Sequence, residues 1–136
     1  MKNSILTLAV LATAFASAQK INLTVEMNNF KNNSGVVKVG LYNSEGTFLG
    51  QTYKKLESKI ADKKAFVTFE GIEKGEYAVS IYQDENLNGV MDKNFFGIPS
   101  EDYIASNNEK GSFDPPKYSK AKFLINGDSK IVIKVN

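Results

Sequence analysis

Apolar and polar residues alternate from the start of the chain's first polar-rich stretch: Ile21, Leu23, Val25 and Met27 are apolar, while Asn22, Thr24, Glu26 and Asn28 are polar. A period of two puts one face in a core and the other in water, which predicts a strand. After the turn residues Lys31-Asn32-Asn33-Ser34-Gly35 the alternation resumes at Val37, Val39 and Leu41, and the two runs predict a hairpin. Ser44 to Lys64 is polar and lysine-rich, with Phe48, Leu49, Tyr53, Leu56 and Ile60 scattered through it; it reads as a loop holding a short strand or helical turn. Two further strands follow, Ala65–Phe69 and Tyr77–Gln83, the second with Tyr77, Val79 and Ile81 on one face and Ala78, Ser80 and Tyr82 on the other.

Between Asp84 and Ser119 neither period persists, yet the segment carries Phe95, Phe96, Ile98, Tyr103, Ile104, Phe113 and Tyr118. Long irregular segments are uncommon in compact domains unless functional or pinned by a small core, so these side chains are expected to pack beneath the loop. Order returns in Ala121–Ile125 and Lys130–Val135 around the turn Asn126-Gly127-Asp128, with Ile131, Ile133 and Val135 facing inward. Six or seven short strands without a clear helix predict an all-β fold, an antiparallel Greek-key sandwich of about seven strands with a long loop between the later ones. The Gly75-x-Tyr77 corner supports that choice over a barrel.

Composition narrows the setting. A chain of 136 residues, 42% hydrophobic, suits one domain with one core. Lys2, the apolar run Ile5 to Phe15 and the ending Ala16-Ser17-Ala18 predict a secretory signal peptide over residues 1–18 and a mature domain over 19–136. That run is too short to span a bilayer, so the product is expected to be periplasmic or secreted with no membrane span after cleavage. The formal net charge is +2, every basic residue is lysine, and no basic run exceeds two residues, which argues against nucleic acid. The absence of cysteine removes thiolate chemistry and disulfides; the absence of histidine removes the usual general base and the commonest ligand for zinc or copper. A non-catalytic role is therefore expected.

One stretch carries recognisable chemistry. Counting Asp84 as position one, oxygen donors fall at one (Asp84), three (Asn86), five (Asn88) and nine (Asp92), glycine at six (Gly89), and Val90 at seven offers its carbonyl. The spacing matches the first nine positions of an EF-hand calcium loop, in which a tight turn aims alternate oxygens inward. Position twelve is Phe95 instead of a bidentate Glu, and a strand precedes the loop in place of a helix. A water, a carbonyl, or a carboxylate from Glu101 or Asp102 is left to complete the set. Five acids and one lysine lie between Asp84 and Asp102, a concentration of charge that favours a bound cation. The competing reading is a solvated hairpin turn at Asn88-Gly89. The pairs Asp84/Asp92 and Glu85/Glu101 are the candidates for a carboxylate-based hydrolase acting on envelope sugars.

Gly75-Glu76-Tyr77-Ala78-Val79-Ser80, the loop Asp84 to Asp92, Asn94-Phe95-Phe96-Gly97-Ile98-Pro99-Ser100-Glu101, Ser106-Asn107-Asn108 and Pro115-Pro116 through Phe123 resemble, in order and spacing, a family of secreted bacterial proteins, domain-of-unknown-function family 2141. Family members commonly have His where this chain has Gln83, and Gly where it has Leu87, which shifts weight onto the Asp and Asn pattern. The resemblance implies an extracytoplasmic β-sandwich similar to transthyretin-like and carboxypeptidase-regulatory-like modules, without an assigned activity. The expectation is an exported binding or structural module of the cell envelope with a structural calcium held by Asp84, Asn86, Asn88, Val90, Asp92 and Glu101, and a protein or glycan partner. A hydrolase, or a carrier of a small apolar ligand, is the alternative.

Overall fold

A computed structural model describes residues 19–136, so the expected signal peptide at 1–18 lies outside the described residues. The strands in chain order are β1 (Ile21–Asn28), β2 (Val36–Tyr42), β3 (Lys54–Lys59), β4 (Lys64–Ile72), β5 (Gly75–Asp84), β6 (Tyr103–Ala105), β7 (Phe123–Ile125) and β8 (Ser129–Lys134). They form two sheets, β4-β1-β8 and β3-β2-β5-β6, with β7 joining the second sheet along Gly75–Tyr77 of β5. The inner faces meet in one core: Leu23, Val25 and Met27 of β1, Val37, Val39 and Leu41 of β2, Phe69 of β4, Val79 and Ile81 of β5 and Ile133 of β8 are all buried. Each such side chain contributes about 1.5–3 kcal/mol by leaving water. The two-sheet all-β architecture read from the alternation is present, with eight described strands.

Two pairings differ from the local reading. β1 and β2 are not a hairpin: β1 pairs with β4 and β8, and β2 pairs with β3 and β5 in the other sheet. The cause lies in the turn. Phe30 is buried in the core and its N–H donates to the Lys63 carbonyl at 3.2 Å, so the connection stays with β4 and then crosses the end of the sandwich. Likewise β7 bonds to β5 while β8 runs parallel to β1, so the Asn126-Gly127-Asp128 turn also passes between sheets and one pairing is parallel. Ile133 and Val135 are buried and Ile131 packs on the core, as their alternation requires.

The β4-to-β5 corner changes sheets at a tyrosine: buried Tyr77 donates its hydroxyl to the Glu73 carbonyl four residues upstream, at 2.7 Å. Such a bond ties a sharp inter-sheet corner to the strand that leaves it. The outward face of β5 is covered too. Ala78, Ala105, Tyr118 and Ala121 form a second small cluster with Phe48, whose ring meets Tyr42 at 5.2 Å and Tyr118 at 5.6 Å, both edge-on. Ser106, buried beside them, accepts from the Val79 N–H at 3.0 Å and donates to the Ala121 carbonyl at 2.5 Å. The returning segment is thereby fastened across the larger sheet, leaving the chain between β5 and β6 to project beyond it.

Candidate functional site: a carboxylate-clasped loop after β5

The loop begins where β5 ends, on a buried acid. Asp84 is 1% exposed; its Oδ1 accepts from the Asn88 N–H at 3.2 Å and its Oδ2 from the Gly89 N–H at 2.8 Å. That turn needs Gly89, whose φ of +80° is costly for any residue with a Cβ. Glu101, also buried, returns from the far end: its Oε1 accepts from the Glu85 N–H at 3.2 Å and its Oε2 from the Asp92 N–H at 3.0 Å. One carboxylate thus holds both ends of the loop. Above it, Asp92 accepts from the Asn86 and Asn88 side-chain amides, each at 2.5 Å. Asn86 Oδ1 accepts from the Asn88 N–H at 3.3 Å and Asn88 Oδ1 from the Val90 N–H at 3.1 Å.

The structure therefore brings Asp84, Asn86, Asn88, Val90, Asp92 and Glu101 into one hydrogen-bonded assembly. Asp102 turns away to Lys31 at 3.1 Å. Among the described residues no three His, Cys, Asp or Glu side chains converge as a metal cluster. Half of the predicted oxygen donors are of other kinds: two asparagine amides and a backbone carbonyl. Each carboxylate offers about four lone-pair positions, and the backbone N–H groups occupy two on Asp84 and two on Glu101.

Residues distant in sequence support the loop's base. Gln83, buried beneath it, donates to Asn32 Oδ1 at 2.8 Å and to the Ser34 carbonyl at 2.9 Å, and Asn32 in turn donates to Glu85 Oε1 at 3.0 Å. Gln83 Oε1 is buried without a hydrogen-bond partner among the described residues. Gly35, at φ +67°, lies so close to the junction that a Cβ there would sit 1.9 Å from the Asp84 carbonyl oxygen. These residues carry turn chemistry locally; their second role depends on a contact some fifty positions away, which no local pattern encodes. Leu87 adopts a φ of +57° that glycine accepts more readily.

Of the segment's large apolar side chains, Phe95, Phe96, Ile98 and Phe113 do not pack beneath the loop. Phe95 and Phe96 are 97% and 82% exposed, Phe113 is fully exposed and Ile98 is exposed, whereas Ile104 and Tyr118 are buried in the body. The reason is that Lys93 to Pro99 is a small hairpin whose backbone is satisfied without them. Asn94 Oδ1 accepts from the N–H groups of Phe96 at 2.9 Å and Ile98 at 3.0 Å, and the Asn94 N–H donates to the Ile98 carbonyl at 2.8 Å. Phe95 and Phe96 stand edge-to-face with centroids 5.6 Å apart.

Two surface grooves, of about 570 and 420 Å³, are lined elsewhere, and neither takes in Asp84, Asp92 or Glu101. No helix among the described residues is long and apolar enough to cross a membrane. No curated protein and no solved structure matches the chain. Residues 25–133 match the family described as an uncharacterized protein conserved in bacteria, DUF2141, and with most of its length so matched the chain belongs to that family.

Proposed function

We propose that this chain is an exported, non-catalytic binding module of the cell envelope, periplasmic or secreted, in which calcium orders the Asp84–Glu101 loop and the Phe95–Ile98 hairpin meets a protein or glycan partner. The observation that carries the reading is the pair of solvent-exposed phenylalanines on a hairpin whose backbone is already tied by Asn94. Exposed apolar side chains on a pre-organised turn are what a contact surface needs, because little ordering entropy is left to lose on binding. Burying two phenylalanines would supply about 3–6 kcal/mol.

Calcium fits the residues present. Asp84, Asn86, Asn88, the Val90 carbonyl, Asp92 and Glu101 are all hard oxygen donors, and calcium takes about six to eight of them in flexible geometry. The ion would neutralise carboxylates that have no lysine partner among the described residues. A hydrolase is less well supported, since Asp84, Asp92 and Glu101 line neither groove. Both grooves carry lysines, which does not suit an apolar cargo.

The test is co-sedimentation of the mature protein with a bacterial envelope fraction, in calcium and in chelator, beside a Phe95→Ser/Phe96→Ser variant. Wild type in calcium should pellet, while the variant and the chelated sample stay in solution. Equal partitioning of all three would remove the hairpin as the contact surface.

A further inference from the structure

The larger groove lies on the outward face of the larger sheet, and its volume of about 570 Å³ falls among those of small-molecule sites. Its floor is the point where Gly40 of β2 pairs with Ser80 of β5. A Cβ on Gly40 would come within 2.9 Å of Thr52 Cγ2 and 3.1 Å of the Tyr42 hydroxyl, so the missing side chain is what lets those two groups close over the strand. Glycine inside a strand often marks such a close approach. Lys55 of β3 stands opposite Gly40 across the other strand boundary. At the far end Tyr82 donates its hydroxyl to the Gly89 carbonyl at 3.3 Å, so the groove runs up to the clasped loop.

The polar groups in this groove are not alike. Lys38 is committed to Glu57 by an ion pair. Lys55 is exposed and has no ion-pair partner among the described residues. Ser80 donates to the Tyr42 hydroxyl at 3.2 Å, which leaves the Tyr42 proton available to a ligand. One free ammonium beside several hydroxyls suits a monoanion rich in hydroxyl groups. A phosphate dianion would call for a second cation or a nest of backbone N–H groups.

We infer that this groove binds a small carboxylate-bearing sugar, its carboxylate on Lys55 and its hydroxyls on Tyr42, Thr52 and Ser80. The groove touches the clasped loop only at Gly89 and does not reach the phenylalanine hairpin. The assignment is tested by following backbone amide shifts of the mature protein, in chelator, during titration with glucuronate, glucose and inorganic phosphate. Glucuronate should give saturable shifts at Gly40, Ser80 and Gly89, with glucose and phosphate about tenfold weaker. Lys55→Met should weaken glucuronate by a similar factor without moving the melting temperature, and Tyr42→Phe should weaken it while keeping the ring in place. No saturable shift at these amides, phosphate binding as tightly as glucuronate, or undiminished binding by Lys55→Met would each overturn the assignment.

Discussion

Replacing Glu101 by alanine removes the one side chain that holds both ends of the loop. Its carboxylate accepts from the N–H groups of Glu85 and Asp92, and a hydrogen bond to a charged group is worth about 1.5–3 kcal/mol net. Glu85 is exposed and Asp92 half-buried, which places each bond near the lower figure and the pair at about 3 kcal/mol. That loss falls on the loop alone, because no residue between Glu85 and Asp102 belongs to the main core. The expected result is local opening: amide hydrogen exchange at Glu85, Asp92 and Ser100 should speed up about a hundredfold, with a small change in melting temperature. Ser100 reports because its N–H donates to the Asp92 carbonyl at 2.9 Å. Glu101→Gln keeps one acceptor oxygen and should give an intermediate acceleration. Unchanged exchange at all three amides in both variants would refute the clasp.

Gly35→Ala should do more damage than any exposed substitution, since its Cβ would meet the Asp84 carbonyl oxygen at 1.9 Å in a backbone conformation that itself costs about 1–2 kcal/mol; a melting curve matching wild type would contradict that crossing. Leu87→Gly should stabilise the loop by up to about 1 kcal/mol by relieving the left-handed backbone, read as slower exchange across Asn86 to Asp92; faster exchange would show that the Leu87 side chain matters instead. Tyr118 is pushed up from 10.0 to about 12, by burial first and Glu76 second. Its neutral form favours the folded state, so that stability is complete below pH 10 and is lost as pH rises through 12. Between those limits wild type should lose stability that Tyr118→Phe retains, and parallel unfolding curves would exclude the effect.

Strands β1 and β4 are legible because each has one face on a single core, so burial writes itself into the sequence as alternation. β3 is not. It is an edge strand of sequence Lys-Lys-Leu-Glu-Ser-Lys with little burial on either face, and lysine on an edge guards against pairing with another chain without leaving a period. Strand pairing is less legible. Alternation tells which residues face inward but not which sheet receives them, and buried Phe30 decides that for β1 and β2. At the site, the Asp84–Asp92 run of oxygen-bearing side chains around Gly89 is legible because it is local side-chain chemistry, whereas the sequence leaves Glu101 and Asp102 equivalent and does not show that Glu101 accepts from the Glu85 and Asp92 N–H groups. The support from Gln83, Asn32 and Gly35 is not legible either, since it requires the crossing of two distant turns. The phenylalanines differ for a related reason: residue type predicts burial, while the backbone at Asn94 satisfies itself and releases Phe95 and Phe96 to solvent.

Calcium titration of residues 19–136, followed by melting temperature and by protease resistance of residues 84–101, bears most directly on the proposed role of the loop. Calcium at about 100 times its dissociation constant should add roughly 2.7 kcal/mol to stability and protect the loop from cleavage, and Asp84→Asn should abolish both effects. Identical melts and identical cleavage in millimolar calcium and in chelator would contradict a calcium-ordered loop.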